Sequence, residues 1–254
     1  MTNVILCGCG GRMGQAIVRA AADSKDCRIV AGVDVNADSA SLACAFPVYA
    51  TIEEFPGKCD VIVDFSHHTA LPALLAYARR TDTALVIATT GHTEEEKAAM
   101  QEASAAVPVF FSGNMSIGIN LLLELCRTAA KTLGTAFDVE IVEKHHNQKL
   151  DAPSGTALMI ADAIAEEREA TEYTYDRHSV RAKRKPEEIG IHSVRGGTIV
   201  GVHEVLFAGL NEEITLTHTA TSREIFASGA LKAASYMNGK PPGLYNMSDL
   251  INGR

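Results

Sequence analysis

Three features of the 254-residue sequence predict a two-domain α/β chain. Short apolar runs alternate with helix-like stretches as far as Phe111, the pattern of a parallel sheet wound on both faces. The first of those runs enters a glycine-rich turn that opens a helix. From Ser116 the rhythm changes to one long apolar helix followed by runs with period-two alternation, as in a sheet with two unlike faces. The expected fold class is therefore α/β: an N-terminal doubly wound parallel sheet plus a C-terminal α+β domain with an open mixed sheet. The boundaries fall at 1–115 plus 224–254 for the first domain and 116–223 for the second.

In order, Val4-Ile5-Leu6-Cys7 reads as a strand that runs into Gly8-Cys9-Gly10-Gly11-Arg12-Met13-Gly14 and the helix Gln15 to Ala22. Glycines at this spacing permit a tight turn and a close backbone approach to a pyrophosphate, with a helix N-terminus aimed at it. A second strand, Arg28 to Val33, ends at Asp34, about 20 residues on, where an acid can bind ribose hydroxyls. A Rossmann-like dinucleotide site is expected. A carboxylate at Asp34 accepts from a 2′-hydroxyl and repels a 2′-phosphate, and Val35 and Asn36 add no cation; Arg12 is the one nearby candidate to bind a phosphate. NADH is thus expected to serve at least as well as NADPH.

The alternation continues with strands at Asp60 to Phe65, Ala84 to Ala88 and Val107 to Phe111, and helices at Thr69 to Arg80 and Glu94 to Ala105. Ligands of such a sheet bind outside the strand C-termini. Those ends carry Ala88-Thr89-Thr90 and Ser112-Gly113-Asn114-Met115, where a nicotinamide and its ribose are expected. His67 and His68 read as loop histidines.

Other functions are argued against by composition. The formal charge of −8 disfavours nucleic acid as a partner, and the basic segment Arg177 to Lys185 reads as a solvated loop within an exposed excursion, Glu166 to Glu188. No apolar run approaches the ~20 residues that span a bilayer. Met1-Thr2-Asn3-Val4 leads straight into a strand, without a basic region or cleavage site, so a cytoplasmic location is expected. Six cysteines form no C-x-x-C pair and are expected as free thiols.

In the second half, Ile117 to about Leu133 reads as a long helix capped at Gly134. An extended run, Phe137 to Val142, leads into Glu143-Lys144-His145-His146 and on to Lys149-Leu150-Asp151-Ala152-Pro153-Ser154-Gly155-Thr156, with a helix from Ala157 to Ile164. Pro153 suits a helix start, Ser154 can cap it, and the free N–H groups there favour an anion. A small carboxylate-bearing substrate, protonated beside that anion hole, is expected. Lys149 can be proton donor, carboxylate partner or surface lysine; His145 and His146 can be acid and substrate donor, or ordinary core and surface histidines. Without a cysteine or an H-x-x-x-H spacing, no metal is expected. Strands follow at Gly190 to Arg195, Thr198 to Phe207 and Glu213 to Thr219, then a helix, Arg223 to Met237, expected to pack back on the first domain. One sheet face with no covering helix is a candidate oligomer interface.

The chain resembles the dihydrodipicolinate reductase family, also called 4-hydroxy-tetrahydrodipicolinate reductase, over essentially its whole length. The motifs are Gly8 to Gly14, Asp64-Phe65-Ser66, Thr89-Thr90-Gly91, Asn114 to Gly118, Val194 to Gly201 and, above all, Glu143 to His146 with Lys149 to Ala157. The resemblance implies hydride transfer from NADH or NADPH to a cyclic dicarboxylate, in the diaminopimelate pathway of lysine biosynthesis. It implies His145 as proton donor or acceptor, Lys149 as proton donor, and His146 with Ser154, Gly155 and Thr156 on a substrate carboxylate. Gly8 to Met13, Asp34, Ala88 to Thr90 and Ser112 to Met115 would line the cofactor. It also implies a homotetramer formed through the C-terminal sheets, and a reaction in a cleft that closes on binding. Val35 stands where several relatives place an arginine, which supports the use of NADH. A rival reading is another two-domain reductase of amino or keto acids; a second is a non-catalytic dinucleotide sensor.

Overall fold

A glycine turn joins the first strand to the first helix, and the rest of the first sheet is laid down around that joint. The computed structural model describes residues 1–37 and 44–253. β1 (Thr2–Cys7) leads into α1 (Arg12–Ala22), β2 (Cys27–Val33) and β3 (Val48–Tyr49). β4 (Val61–Asp64) is followed by α2 (Leu71–Thr81), which has proline in its first turn and ends at Asp82 in the left-handed conformation. β5 (Ala84–Ile87) leads to α3 (Glu94–Ala103), which starts in a capping box between Thr93 and Glu96. β6 (Pro108–Phe111) and α4 (Ile117–Leu133) follow, and the helix stops where Gly134 takes a φ of +60°.

The next strands are β7 (Asp138–His145), then after α5 (Gly155–Ala165) β8 (Glu172–Thr174), β9 (Glu188–Arg195), β10 (Gly201–Gly209) and β11 (Glu212–Ala220). The chain then adds α6 (Glu224–Met237), β12 (Gly243–Tyr245) and α7 (Met247–Asn252). Two units result: Met1–Ile117 with Arg223–Arg254, and Gly118–Ser222. Among the described residues, no helix is long and apolar enough to cross a membrane.

The first unit holds a seven-stranded sheet in the order β12-β6-β5-β4-β1-β2-β3, parallel throughout. Its inner strands are buried on both faces, which is why Val-Ile-Val and Ala-Leu-Val-Ile show no polar alternation. α6 packs against α1 on one face, with Ala230 and Ala234 in the core; Leu74, Leu75 and Met100 cover the other. The chain winds one way from β1 to β3 and the other way from β4 to β12, so the sheet reverses between β1 and β4. Ligands of open α/β sheets bind at such a point.

The second unit holds a five-stranded mixed sheet, β11-β10-β7-β9-β8; β10 runs antiparallel to both its neighbours, and β7, β9 and β8 are mutually parallel. One face carries Val139, Ile141, Ile189, Ile191, Val205 and Phe207, which pack with α4 and α5. The opposite face carries Val142, Val202 and Leu206 in an intermediate state of burial.

Several elements differ from the sequence reading. β7 runs through His145, because the alternation Val139, Ile141, Glu143, His145 continues the inner face past the point where residue types turn polar. β3 and β12 are edge strands of two and three residues, too short to carry a periodicity. The 166–188 excursion is tied down: Arg184 bonds Asp138 at 2.7 Å and Glu140 at 3.1 Å, and Arg177 bonds Glu140 at 2.6 Å and Glu188 at 2.5 Å. Arg177 and Arg184 thus pair with acids of β7 and β9, while residues 178–183 between them are exposed, as expected of a solvated loop.

The close approach of α6 to the loop after β6 rests on Gly229, where an added Cβ would lie 1.8 Å from the Met115 carbonyl oxygen. Gly229→Ala should destabilise the protein by about 1–3 kcal/mol, in spite of alanine's better helix propensity. An unchanged unfolding midpoint in urea would contradict that packing.

Candidate active site

The reversal point of the first sheet opens on a groove of about 720 Å³ lined by Gly8, Gly10 and Gly11 after β1, Asp34 to Asn36 after β2, and Phe65 to His67 after β4. Gly8 has a φ of +75°, and a Cβ there would lie 2.5 Å from the Phe65 carbonyl oxygen, so only glycine lets the two loops meet. At Gly14 a Cβ would lie 2.1 Å from the Gly8 oxygen, which fixes how closely α1 approaches the turn. Gly11 occupies the N-cap of α1 without a side-chain acceptor, and the first turn holds no acid. The first N–H groups of α1 are thus left for an anion, and a dinucleotide fits this glycine cradle.

Asp34 braces the turn: Oδ2 accepts from Gly10 N–H at 2.9 Å and Oδ1 from Asn36 N–H at 3.0 Å. Val35 beside it is 89% exposed. Arg12 is exposed at the start of α1, and Met13 packs partly into the core. Cys9 is fully buried, its sulfur against Gly32, so it can offer a ligand only its backbone.

Beyond β4, buried Asp64 organises two loops: Oδ2 accepts from the Thr89 hydroxyl at 2.7 Å and Oδ1 from Ser66 N–H at 3.0 Å. Thr89 and Ala88 are buried, while Thr90 is exposed. After β6, the Ser112 hydroxyl donates to the Asn114 carbonyl at 2.8 Å; Gly113 is exposed and Met115 is buried in the core. Of these predicted residues, Thr90, Gly113 and Asn114 have surface to offer, whereas Ala88, Thr89, Ser112 and Met115 shape the loops from below. His67, read as a plain loop residue, lines the groove, and His68 Nδ1 lies 2.9 Å from Glu96.

In the second unit the end of β7 is built around Glu143, whose side chain is 0% exposed. Arg195, at the end of neighbouring β9, donates to both its oxygens at 2.7 Å. His145 Nδ1 lies 2.6 Å from Oε2, and Ser154 N–H donates to Oε1 at 3.1 Å. Burial pushes the Glu143 pKa up, but the hydrogen bonds from Arg195 and His145 outweigh it and hold the carboxyl at about 2. Arg195 also donates to the Asp151 carbonyl at 2.7 Å, and Lys149 Nζ sits 2.9 Å from the Asp151 carboxylate. His145, Glu143, Arg195, Asp151 and Lys149 form one continuous chain of contacts.

The Pro-Ser-Gly-Thr turn sits at the same end. Pro153 precedes the cap, and the Ser154 hydroxyl accepts from Ala157 N–H at 3.2 Å and bonds His203 Nε2 at 3.1 Å. Ser154 is buried, so its hydroxyl is committed to the fold; Gly155 lies exposed in the first turn of α5, with Thr156 next to it. His146 opens the turn that closes with Lys149 N–H on its carbonyl at 3.2 Å.

Sequence reading quoted Glu143 and Arg195 within motifs and assigned them no role, and it missed His203. Arg195 and His203 lie 52 and 49 residues from their partners, so spacing could not find them. The signal for Glu143 was its place two residues before His145, on the same side of a strand.

Two family models cover the chain: dihydrodipicolinate reductase, N-terminus, over residues 2–115, and dihydrodipicolinate reductase, C-terminus, over 118–251. The chain is 52% identical over 252 residues to the 4-hydroxy-tetrahydrodipicolinate reductase of Caldanaerobacter subterraneus subsp. tengcongensis, covering 99% of this chain and 98% of the relative. It is 48% identical to that of Clostridium tetani, with the same coverage. Among solved structures it is similar to the dipicolinate-bound dihydrodipicolinate reductase from Paenisporosarcina sp. TG-14, with a TM-score of 0.79, 27% identity and 97% of each chain covered.

His203 supplies a pH test of this arrangement. Burial first, and the neighbouring His145 second, lower its pKa from 6.5 to about 4. Between those values the unfolded chain binds a proton that the folded chain does not, so stability is full above about 6.5 and falls as pH drops towards 4. His203→Gln, which can still bond Ser154, should flatten that part of a plot of unfolding free energy against pH. An unaltered slope would mean that His203 is not buried neutral.

Proposed function

This chain belongs to the dihydrodipicolinate reductase family, and from that membership we propose how its residues divide the reaction. It is a reductase that uses a reduced nicotinamide nucleotide to turn 4-hydroxy-tetrahydrodipicolinate into tetrahydrodipicolinate and water, in the diaminopimelate route to lysine. The observation that carries the division of labour is the chain of contacts from His145 through Glu143, Arg195 and Asp151 to Lys149.

When bound in the glycine groove, the reduced nucleotide supplies a hydride to the substrate ring. The N–H groups at the start of α1 hold the pyrophosphate, and Asp34 takes the adenosine ribose by exchanging its bonds to Gly10 and Asn36 for ribose hydroxyls. Thr90, Gly113 and Asn114 orient the nicotinamide end. A 2′-phosphate would meet the Asp34 carboxylate with no cation at Val35 to offset it, so NADH is used at least as well as NADPH.

A dicarboxylate loses several kcal/mol of hydration on binding unless its charges are paired. His146 and the N-terminus of α5, at Gly155 and Thr156, pair with one carboxylate. Lys149 gives up its contact with Asp151 to reach the ring and donates the proton that balances the incoming hydride. His145 hands the Nε2 proton to the departing ring hydroxyl and takes back through the same atom the ring C–H proton released as water leaves. The net uptake is thus one hydride and the one proton from Lys149. The half-buried apolar face of the second sheet, with Val142, Val202 and Leu206, joins copies of the chain into a homotetramer. The enzyme works in the cytoplasm, where its nucleotide pool lies.

Lys149→Ala should lower kcat by a factor on the order of 10²–10⁴ and leave the Kd for NADH nearly unchanged. An intact kcat would reduce Lys149 to a carboxylate holder. In the same assay, kcat/KM with NADH should equal or exceed that with NADPH, and a tenfold or greater preference for NADPH would contradict the role given to Asp34 and Val35.

A further inference from the structure

We infer that Glu143 is the positioning residue for His145: it accepts the Nδ1 proton, fixes the imidazole in one tautomer and leaves Nε2 as the atom that exchanges protons. This rests on the reading of His145 as a proton-handling group.

The placement of Glu143 is hard to explain as fold support alone. Its strand neighbours on the inner face, Val139 and Ile141, are core residues, and an acid continuing that row loses its hydration. Arg195 already spans both carboxylate oxygens, and Ser154 N–H adds a bond to Oε1, which satisfies the charge. The bond from His145 at 2.6 Å is the shortest of the set and is not needed to neutralise the acid. The imidazole is the group that gains: its Nδ1 is anchored, and its ring meets His203 edge-on at a centroid distance of 5.3 Å. Room beside the opposite nitrogen is kept by Gly201, where a Cβ would lie 3.2 Å from Nε2. Arg195 has a part in this as well. By spanning the carboxylate it keeps Glu143 an acceptor, so the Nδ1 proton stays on the imidazole and no proton passes to Glu143 in the cycle. The proton on Nε2 goes to the departing hydroxyl, and the neutral imidazole left behind keeps Nδ1–H while Nε2 takes up the ring C–H proton released as water leaves. His145 thus ends the step as it began, and the hydride is balanced by the single proton from Lys149.

The test combines kinetics with the state of the ring. With ¹⁵N-labelled histidine and His145→Asn to assign the signal, the wild-type enzyme at alkaline pH should show His145 protonated on Nδ1. Glu143→Gln should mix the tautomers and lower kcat by roughly 10²–10⁴-fold, with little change in the KM for NADH. In a His145→Asn background the same substitution should change kcat by no more than about threefold, because a residue that acts only through another loses its effect when that other is gone. An equal loss in both backgrounds, an unaltered His145 signal in Glu143→Gln, or an intact kcat overturns the inference. If Glu143→Gln does not fold, the wild-type spectrum decides: protonation of His145 on Nε2 overturns it. A His145→Asn enzyme with wild-type kcat overturns the reading of His145 itself, a different failure that the kinetics identify on their own.

Discussion

The second unit depends on one buried ion pair. A carboxylate with no exposure, placed where a strand's apolar row should end, is destabilising unless every lone pair finds a donor. Arg195, His145 and Ser154 are those donors, and each comes from a different piece of chain: the end of β9, the end of β7 and the cap of α5. Meeting the needs of Glu143 therefore brings together the strand ends and the helix terminus proposed to hold the substrate. Removing Arg195 leaves an unpaired charge in the core, so the site and the local fold share that pair of bonds.

The first unit uses the same device in a milder form. Asp34 and Asp64 stand at or just past the ends of β2 and β4, and each accepts bonds from loops of other strands or from its own turn. Asp34 is half-buried, and its partners are backbone N–H groups that water can replace, which suits the ribose contact proposed for it. Asp64 is buried, and its partners stay with it, which suits an acid that holds the Ser66 and Thr89 loops in place. Burial separates the carboxylate proposed to bind a ligand from a structural one, though both end parallel strands of one sheet.

Much of the fold was legible in the sequence because long elements declare themselves by period. The glycine turn, the acid after the second strand and the helix from Ile117 to Leu133 all appear where residue spacing puts them. Two-residue and three-residue edge strands have no period to read, and β3 and β12 went unseen for that reason. Nor can composition tell a solvated basic loop from one whose arginines pair with acids more than ten residues away, as Arg177 and Arg184 do. At the site, the residues within one motif were found and their partners were not. Lys149 and His145 are neighbours in sequence, but Arg195 and His203 reach them through strand register alone. Ser154 illustrates the converse: motif membership suggested a ligand contact, and its hydroxyl is spent on the helix cap and His203.

In the reduction proposed for this chain, a nucleotide held by the glycine turn would supply the hydride, and His145 and Lys149 would handle the protons. The most direct test is turnover itself. The cyclic dicarboxylate, generated in situ from pyruvate and aspartate semialdehyde by the synthase that precedes this step, should cause loss of NADH absorbance in proportion to added enzyme. The nucleotide should be stable when either precursor is left out. No oxidation of NADH or NADPH under these conditions would contradict the account.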